Sequence, residues 1–176
     1  MLAEVKRYLP DDFAYNGATA ISWLGISAYS LPVPLRQLVG WLCSMATAGL
    51  LISAWRRVEW RSPGFGLQYA LAVCGTVLIS PHTQFYDAGL VVLAILLILE
   101  HLAAMDRPVS PAAKLLLVLG FVGFAWFRWA AEQLGFQPLI LWPLLTLLWS
   151  HRLLAGVGLC SDEAHLSDQR LVVRAG

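Results

Sequence analysis

The stretch LISPHTQFYDAGLVVLAILLIL, residues 78–99, places a short polar loop directly before a long apolar run. Another apolar segment, from Gly64 to Ile79, precedes the loop, so Ser80–Asp87 joins two segments that are each near the length of a membrane-crossing helix. A connection this short needs only turn-forming residues, yet this one also carries an imidazole, an amide, a phenol and a carboxylate. The stretch predicts two apolar helices joined by a loop with more chemically active side chains than a turn requires.

The composition of the whole chain indicates a membrane protein. Its 176 residues are 59% hydrophobic and 13% charged, whereas about 25% of residues are charged in an average soluble domain. A net charge of +1 provides no basic surface, so nucleic acid is not expected as a partner, and membrane lipids are. The three cysteines form no CxxC pair, which favours packing over redox chemistry.

The apolar residues fall into five blocks, and a helix of about 20 residues crosses the hydrocarbon core. The sequence therefore predicts an all-α, polytopic membrane helical bundle with about five transmembrane helices. The predicted spans are Leu35–Trp55, Gly64–Ile79, Ala88–Met105, Ala113–Ala131 and Leu139–Leu154. Pro143 is expected to kink the fifth span, because proline removes a helical N–H.

The basic residues between the predicted spans indicate an orientation, since cytoplasmic loops carry the excess of lysine and arginine. The residues that fall on one side are Arg56, Arg57, Arg61, Arg107, Lys114, Arg152, Arg170 and Arg174. That side is predicted to be cytoplasmic, and the loop Ser80–Asp87 is predicted to face outward.

Three regions follow from this topology: an outer segment over residues 1–34, a transmembrane bundle over 35–155 and a cytoplasmic tail over 156–176. Within the outer segment, ATAISWLGISAYSL, residues 18–31, is apolar enough to form an interfacial helix on the membrane surface. No basic and apolar export signal precedes it, so helices upstream of this sequence are expected, and the chain is interpreted as a C-terminal part.

Four side chains near the outer face form the candidate site. His82 and Tyr86 are suited to donate hydrogen bonds to an anionic headgroup or a sugar hydroxyl, and Asp87 to orient His82 or bind a hydroxyl. Arg128, near the outer end of the fourth span, is the fourth member and a phosphate ligand. The plainer alternative is structural: Pro81 ends a helix, Asp87 leads into the next, and Arg128 is an interfacial anchor.

Other ionisable residues point to no further site. Glu100 lies near the cytoplasmic interface beside His101, where snorkelling or pairing with Arg56 or Arg57 accounts for its carboxylate, and a proton relay is the alternative. The four histidines are too scattered to suggest a metal site, and no cofactor motif occurs.

The loop and the apolar run after it resemble the C-terminal half of glycosyltransferase family 87, bacterial membrane enzymes of the GT-C superfamily. In that family a loop that begins Ser-Pro and ends Tyr-Asp, here Ser80, Pro81, Tyr86 and Asp87, leads into a leucine-rich span. The resemblance is strongest over about residues 38–105.

The resemblance implies an inner-membrane enzyme that transfers a sugar, such as mannose, from a polyprenyl-phosphate donor to a lipid or glycan acceptor at the outer face, with inversion. The general base of such enzymes is an acidic residue in their first external loop, which has no counterpart in these residues. The chain alone is therefore expected to be inactive. A non-catalytic membrane scaffold or a small transporter is the alternative.

Overall fold

The computed structural model describes residues 20–25, 31–56, 64–80, 83, 85–134 and 137–156. Within these ranges every regular element is helical, which confirms the all-α prediction. The helices are α1 (Val33–Trp55), α2 (Phe65–Ile79), α3 (Gly89–Ala104), α4 (Pro111–Leu134) and α5 (residues 141–156). The 3-10 turns Phe85–Ala88 and Pro138–Ile140 lead into α3 and α5.

Helix length and apolarity identify two candidate membrane spans among the described residues, Pro34–Trp55 and Pro138–Gly156. The helices α2 and α3 are apolar but contain only 15 and 16 residues, fewer than the ~20 that cross a bilayer without adjustment. The structure therefore supports two candidate spans and does not establish the five that the sequence predicts.

The core lies mainly between α2 and α3, which pack against each other as a helical hairpin. Leu71 and Leu78 of α2 and Ile95 and Ile98 of α3 are fully buried there. Apolar residues on one side of each helix meet in this way because residues three and four apart share a helical face. The hairpin is consequently the best-packed part of the structure.

Two glycines let neighbouring helices approach the hairpin and each other closely. A Cβ on Gly75 of α2 would lie 2.7 Å from Cδ1 of Leu51 in α1, and a Cβ on Gly120 of α4 would overlap the indole ring of Trp142 in α5. Small residues at such positions are typical of packed helices in membranes.

One face of α1 remains apolar and uncovered. Leu38, Trp41, Leu42, Met45 and Ile52 are each more than half exposed. Contiguous apolar surface of this kind is unfavourable in water and marks contact with lipid or another protein.

The turn after α3 is held by two backbone hydrogen bonds. After α3, Asp106 adopts a left-handed conformation (φ 52°), its N–H donates to the Ala103 carbonyl (3.0 Å), and the Arg107 N–H donates to the Leu102 carbonyl (2.9 Å). This pair of bonds is a Schellman motif, which closes the helix and turns the chain.

In α5, Pro143 lies in the first turn, where its missing N–H breaks no helical bond. The kink that the sequence predicts at this proline is therefore not present.

Candidate functional site

The helix α2 ends regularly at Ile79, and the loop that follows begins at Ser80. Ser80 is extended (φ −64°, ψ 122°), and its N–H still donates to the Thr76 carbonyl (3.0 Å). Thr83 is buried and returns two hydrogen bonds to the Ser80 carbonyl, from its N–H (3.4 Å) and from its Oγ1 (3.2 Å). The centre of the loop is thus fixed to the end of α2.

Residues 20–25 pack onto the same end of the hairpin. The Ile21 N–H donates to the Thr83 carbonyl (3.1 Å), and the Ile21 side chain is fully buried in the core. The indole N–H of Trp23 donates to Oγ1 of Thr47 in α1 (2.9 Å), which in turn donates to the Cys43 carbonyl (2.9 Å). This segment therefore ties the loop to α1.

The predicted interfacial helix is described only in part. Residues 23–25 form one helical turn, in which the Gly25 N–H donates to Oγ of Ser22 (3.3 Å). Residues 18–19 and 26–30 of the predicted helix lie outside the described residues. Sequence reasoning missed the contacts of this segment, because Ile21 and Thr83 are distant in sequence and neither is a charged or catalytic residue type.

Of the four predicted site residues, the structure describes the side chain of Asp87 alone. Asp87 is half-buried in the 3-10 turn that leads into α3, and Tyr86 occupies the same turn, although its side chain is not among those described. His82 lies outside the described residues. Arg128 is in α4, and its side chain is not among those that the structure describes. The grouping of the four side chains therefore stays a prediction.

A cavity of about 610 Å³ lies at the opposite end of α3. Leu97, Glu100 and His101 line it from one face of α3, with Gly66 from the start of α2 and Leu153 from α5. Glu100 is some 20 Å from Asp87 along the helix, at ~1.5 Å per residue. The cavity and the Asp87 end of α3 are consequently separate places in the fold.

The cavity revises the interpretation of Glu100. Its carboxylate is exposed and makes no ion pair with any described residue, so the expected pairing with Arg56 does not occur; Arg57 lies outside the described residues. His101 is buried, at 7% exposure. The spacing of Leu97, Glu100 and His101 on one helical face was the signal in the sequence that could have identified this lining.

No cluster of three histidine, cysteine, aspartate or glutamate side chains suited to a metal ion occurs in the part of the chain that the structure describes. No family model, curated protein or solved structure matches the chain. The resemblance noted over residues 38–105 accordingly rests on the loop motif and the apolar run alone.

Proposed function

We propose that this chain is a five-span integral membrane protein of a bacterial inner membrane, and that it forms the donor-binding, C-terminal part of a glycosyltransferase. The donor is a polyprenyl-phosphate sugar, mannose-like, and the acceptor is a lipid or a glycan at the outer face. The proposal draws on the Ser-Pro and Tyr-Asp ends of the loop Ser80–Asp87 and on the position of that loop between two apolar helices.

The observation that carries the proposal is the anchoring of Thr83, at the centre of this loop. Thr83 is bonded to the end of α2 and to the Ile21 N–H (3.1 Å), and Asp87 lies in the 3-10 turn Phe85–Ala88 that leads into α3. A loop that is already anchored by hydrogen bonds loses less conformational entropy when a ligand binds. An anchored loop of this kind is suited to a binding site as well as to a turn.

The residue types suit a phosphate ester of a long lipid. His82, Tyr86 and Arg128 are donors for the phosphate, and Asp87 is an acceptor for a sugar hydroxyl. The uncovered apolar face of α1 offers a surface for the polyprenyl chain. During transfer the acceptor oxygen bonds to the anomeric carbon, the carbon–oxygen bond to phosphate breaks, and a base takes the acceptor proton.

Five spans require that α2 and α3 cross the membrane although they are short. At ~1.5 Å per residue each is about 23 Å long, against a hydrocarbon thickness of ~30 Å. Eight of the 15 residues of α2 and six of the 16 residues of α3 are buried, and a short helix inside a bundle tolerates local thinning of the bilayer. The helix α4, with 24 residues, is long enough without adjustment.

Equilibrium binding tests the proposal. The 176-residue chain, in proteoliposomes, is titrated with radiolabelled polyprenyl-phosphate mannose, and the same vesicles are assayed for transfer. We expect saturable binding without transfer, and about tenfold weaker binding for His82→Ala and for Asp87→Asn, the loss expected when one hydrogen bond to a charged group is removed. Asp106→Asn, at the other end of α3, is the matched control and should bind normally.

A non-catalytic scaffold is the second candidate. It is favoured by the scarcity of carboxylates near the loop, where Asp87 is the one acidic side chain that the structure describes. A scaffold would show no saturable donor binding, and both loop variants would then behave as the parent. Transfer of sugar by the chain alone would contradict the assignment of a binding part.

A further inference from the structure

The cavity at the far end of α3 has an amphipathic lining. Apolar side chains, among them Leu97, Met105 and Leu153, form most of it, and Glu100 and Arg107 add one charge of each sign. Its volume of about 610 Å³ lies within the range of ~300–1,000 Å³ that is typical of ligand sites. A ligand that fills it would have an apolar portion and a small charged portion.

The two charges are available to a ligand. Glu100 and Arg107 are both exposed, and neither forms an ion pair or a hydrogen bond through its side chain with any residue that the structure describes. They are seven positions apart in the sequence and both line the cavity, so each is available to a different group of the same ligand. One anionic and one cationic ligand group would satisfy both.

The position of Arg107 is set by the backbone rather than by its side chain. The left-handed Asp106 (φ 52°) and the bond from the Arg107 N–H to the Leu102 carbonyl (2.9 Å) hold it next to the last turn of α3. Gly66 brings the first turn of α2 to the cavity, and the N-terminal turn of a helix is the positive end of its dipole. The phosphate-binding character of the site therefore comes from two different elements.

We propose that this cavity binds a zwitterionic phospholipid with a primary ammonium beside its phosphate, as in phosphatidylethanolamine. Arg107 and the first turn of α2 contact the phosphate, Glu100 accepts a hydrogen bond from the ammonium, and the apolar lining takes the first carbons of the acyl chains. The site lies at the opposite end of α3 from the loop that binds the sugar donor, so either can fail without the other.

Lipid titration of the purified, delipidated 176-residue chain tests this assignment, with native mass spectrometry as the readout. Phosphatidylethanolamine should bind more tightly than phosphatidylcholine, whose quaternary ammonium has no N–H, and than phosphatidylglycerol, which has no ammonium. Arg107→Gln should weaken binding of all three lipids about tenfold, whereas Glu100→Gln should weaken phosphatidylethanolamine by that factor, phosphatidylcholine less, and phosphatidylglycerol not at all. Lys114→Gln, which removes an exposed cation outside the cavity, should leave all three unchanged.

A steric variant provides a second measurement. A Cβ added at Gly66 would meet no other atom within 4 Å, so the side chain of Gly66→Leu starts in open space at the cavity lining and the variant should fold. It should abolish the preference for phosphatidylethanolamine, whereas Gly49→Leu, equally unobstructed but on α1, should keep it.

Three results would overturn the assignment. The first is equal binding of the three lipids by the parent chain. The second is the same loss of binding in Lys114→Gln as in Arg107→Gln. The third is competition by free phosphoethanolamine as strong as that by the lipid, which would assign the cavity to a soluble ligand.

Discussion

The side-chain amide of Gln68 donates a hydrogen bond to the carbonyl oxygen of Ala54 across 3.0 Å, and thereby closes the end of α1 from within α2. The Trp55 carbonyl accepts a longer bond from the same amide nitrogen (3.5 Å). The last carbonyls of a helix have no partner in their own helix, and Gln68 is buried, at 2% exposure. A polar residue thus joins two apolar helices where water is excluded.

Replacing Gln68 with methionine should destabilise the protein markedly. The substitution keeps the side-chain length but removes the side-chain donor of the buried Ala54 carbonyl and leaves that oxygen the Arg56 N–H, at a cost of roughly 1–3 kcal/mol. Unfolding in detergent, followed by circular dichroism, measures the change. Thr76→Val is the control, because the Thr76 hydroxyl bonds only to the Ala72 carbonyl (2.8 Å) on an exposed face of the same helix. Equal losses for the two variants would contradict the role given to Gln68.

Gly120→Ala should cost more stability than Gly75→Ala. The added methyl at Gly120 meets the rigid, buried ring of Trp142, whereas at Gly75 it meets the end of the flexible Leu51 side chain, which is free to change rotamer. Overpacking against a rigid neighbour costs about 1–3 kcal/mol, and replacing a helical glycine by alanine returns up to ~1 kcal/mol. We therefore expect Gly75→Ala to be near neutral in a thermal unfolding assay, and a reversed order would be incompatible with the packing described.

Asp106→Gly should stabilise the end of α3. A residue with a side chain at φ 52° is strained, and glycine removes about 1 kcal/mol of that strain. Asp106→Val should destabilise, because a β-branched residue is the least tolerant of this conformation. Hydrogen exchange at the Arg107 amide, which donates to Leu102, reports the local change: slower in the glycine variant and faster in the valine variant. Equal exchange rates in the glycine and valine variants would contradict the strain assigned to Asp106.

The orientation of the chain is testable by labelling. In a variant that lacks Cys43, Cys74 and Cys160, single cysteines are placed at Gln84 and at Ser110. The charge distribution predicts that an impermeant maleimide labels the first but not the second in intact cells, and both after permeabilisation. Labelling of both positions in intact cells, or of Ser110 alone, would reject the predicted topology.

Hydropathy was sufficient to locate the helices. The predicted segments Leu35–Trp55 and Gly64–Ile79 differ from α1 and α2 by two residues or fewer at each end, because the apolar blocks end at arginines, prolines and glycines. Whether each helix spans a membrane does not follow from the same signal, since α2 and α3 are of intermediate length.

The site was less accessible to sequence reasoning. The polar loop was recognisable because its residue types exceed what a turn needs, but the anchoring of Thr83 by Ile21 depends on backbone atoms that every residue has. Glu100 and Arg107 were interpreted separately, as a snorkelling residue and as a topological marker. Only the turn at Asp106 brings them to one cavity, and its left-handed conformation at a non-glycine residue has no clear signature in a single sequence.

The two hydrogen-bond partners that hold residues 20–25 are synthesised at different times. Trp23 needs Thr47, 24 residues later, whereas Ile21 needs Thr83, which is made only after all of α2. At ~5–20 residues per second, the stretch from Thr47 to Thr83 takes on the order of 2–7 s to translate. During those seconds the partner of Trp23 has been made and the partner of Ile21 has not. The order in which the ribosome delivers these residues therefore allows the Trp23 contact to form before the Ile21 contact.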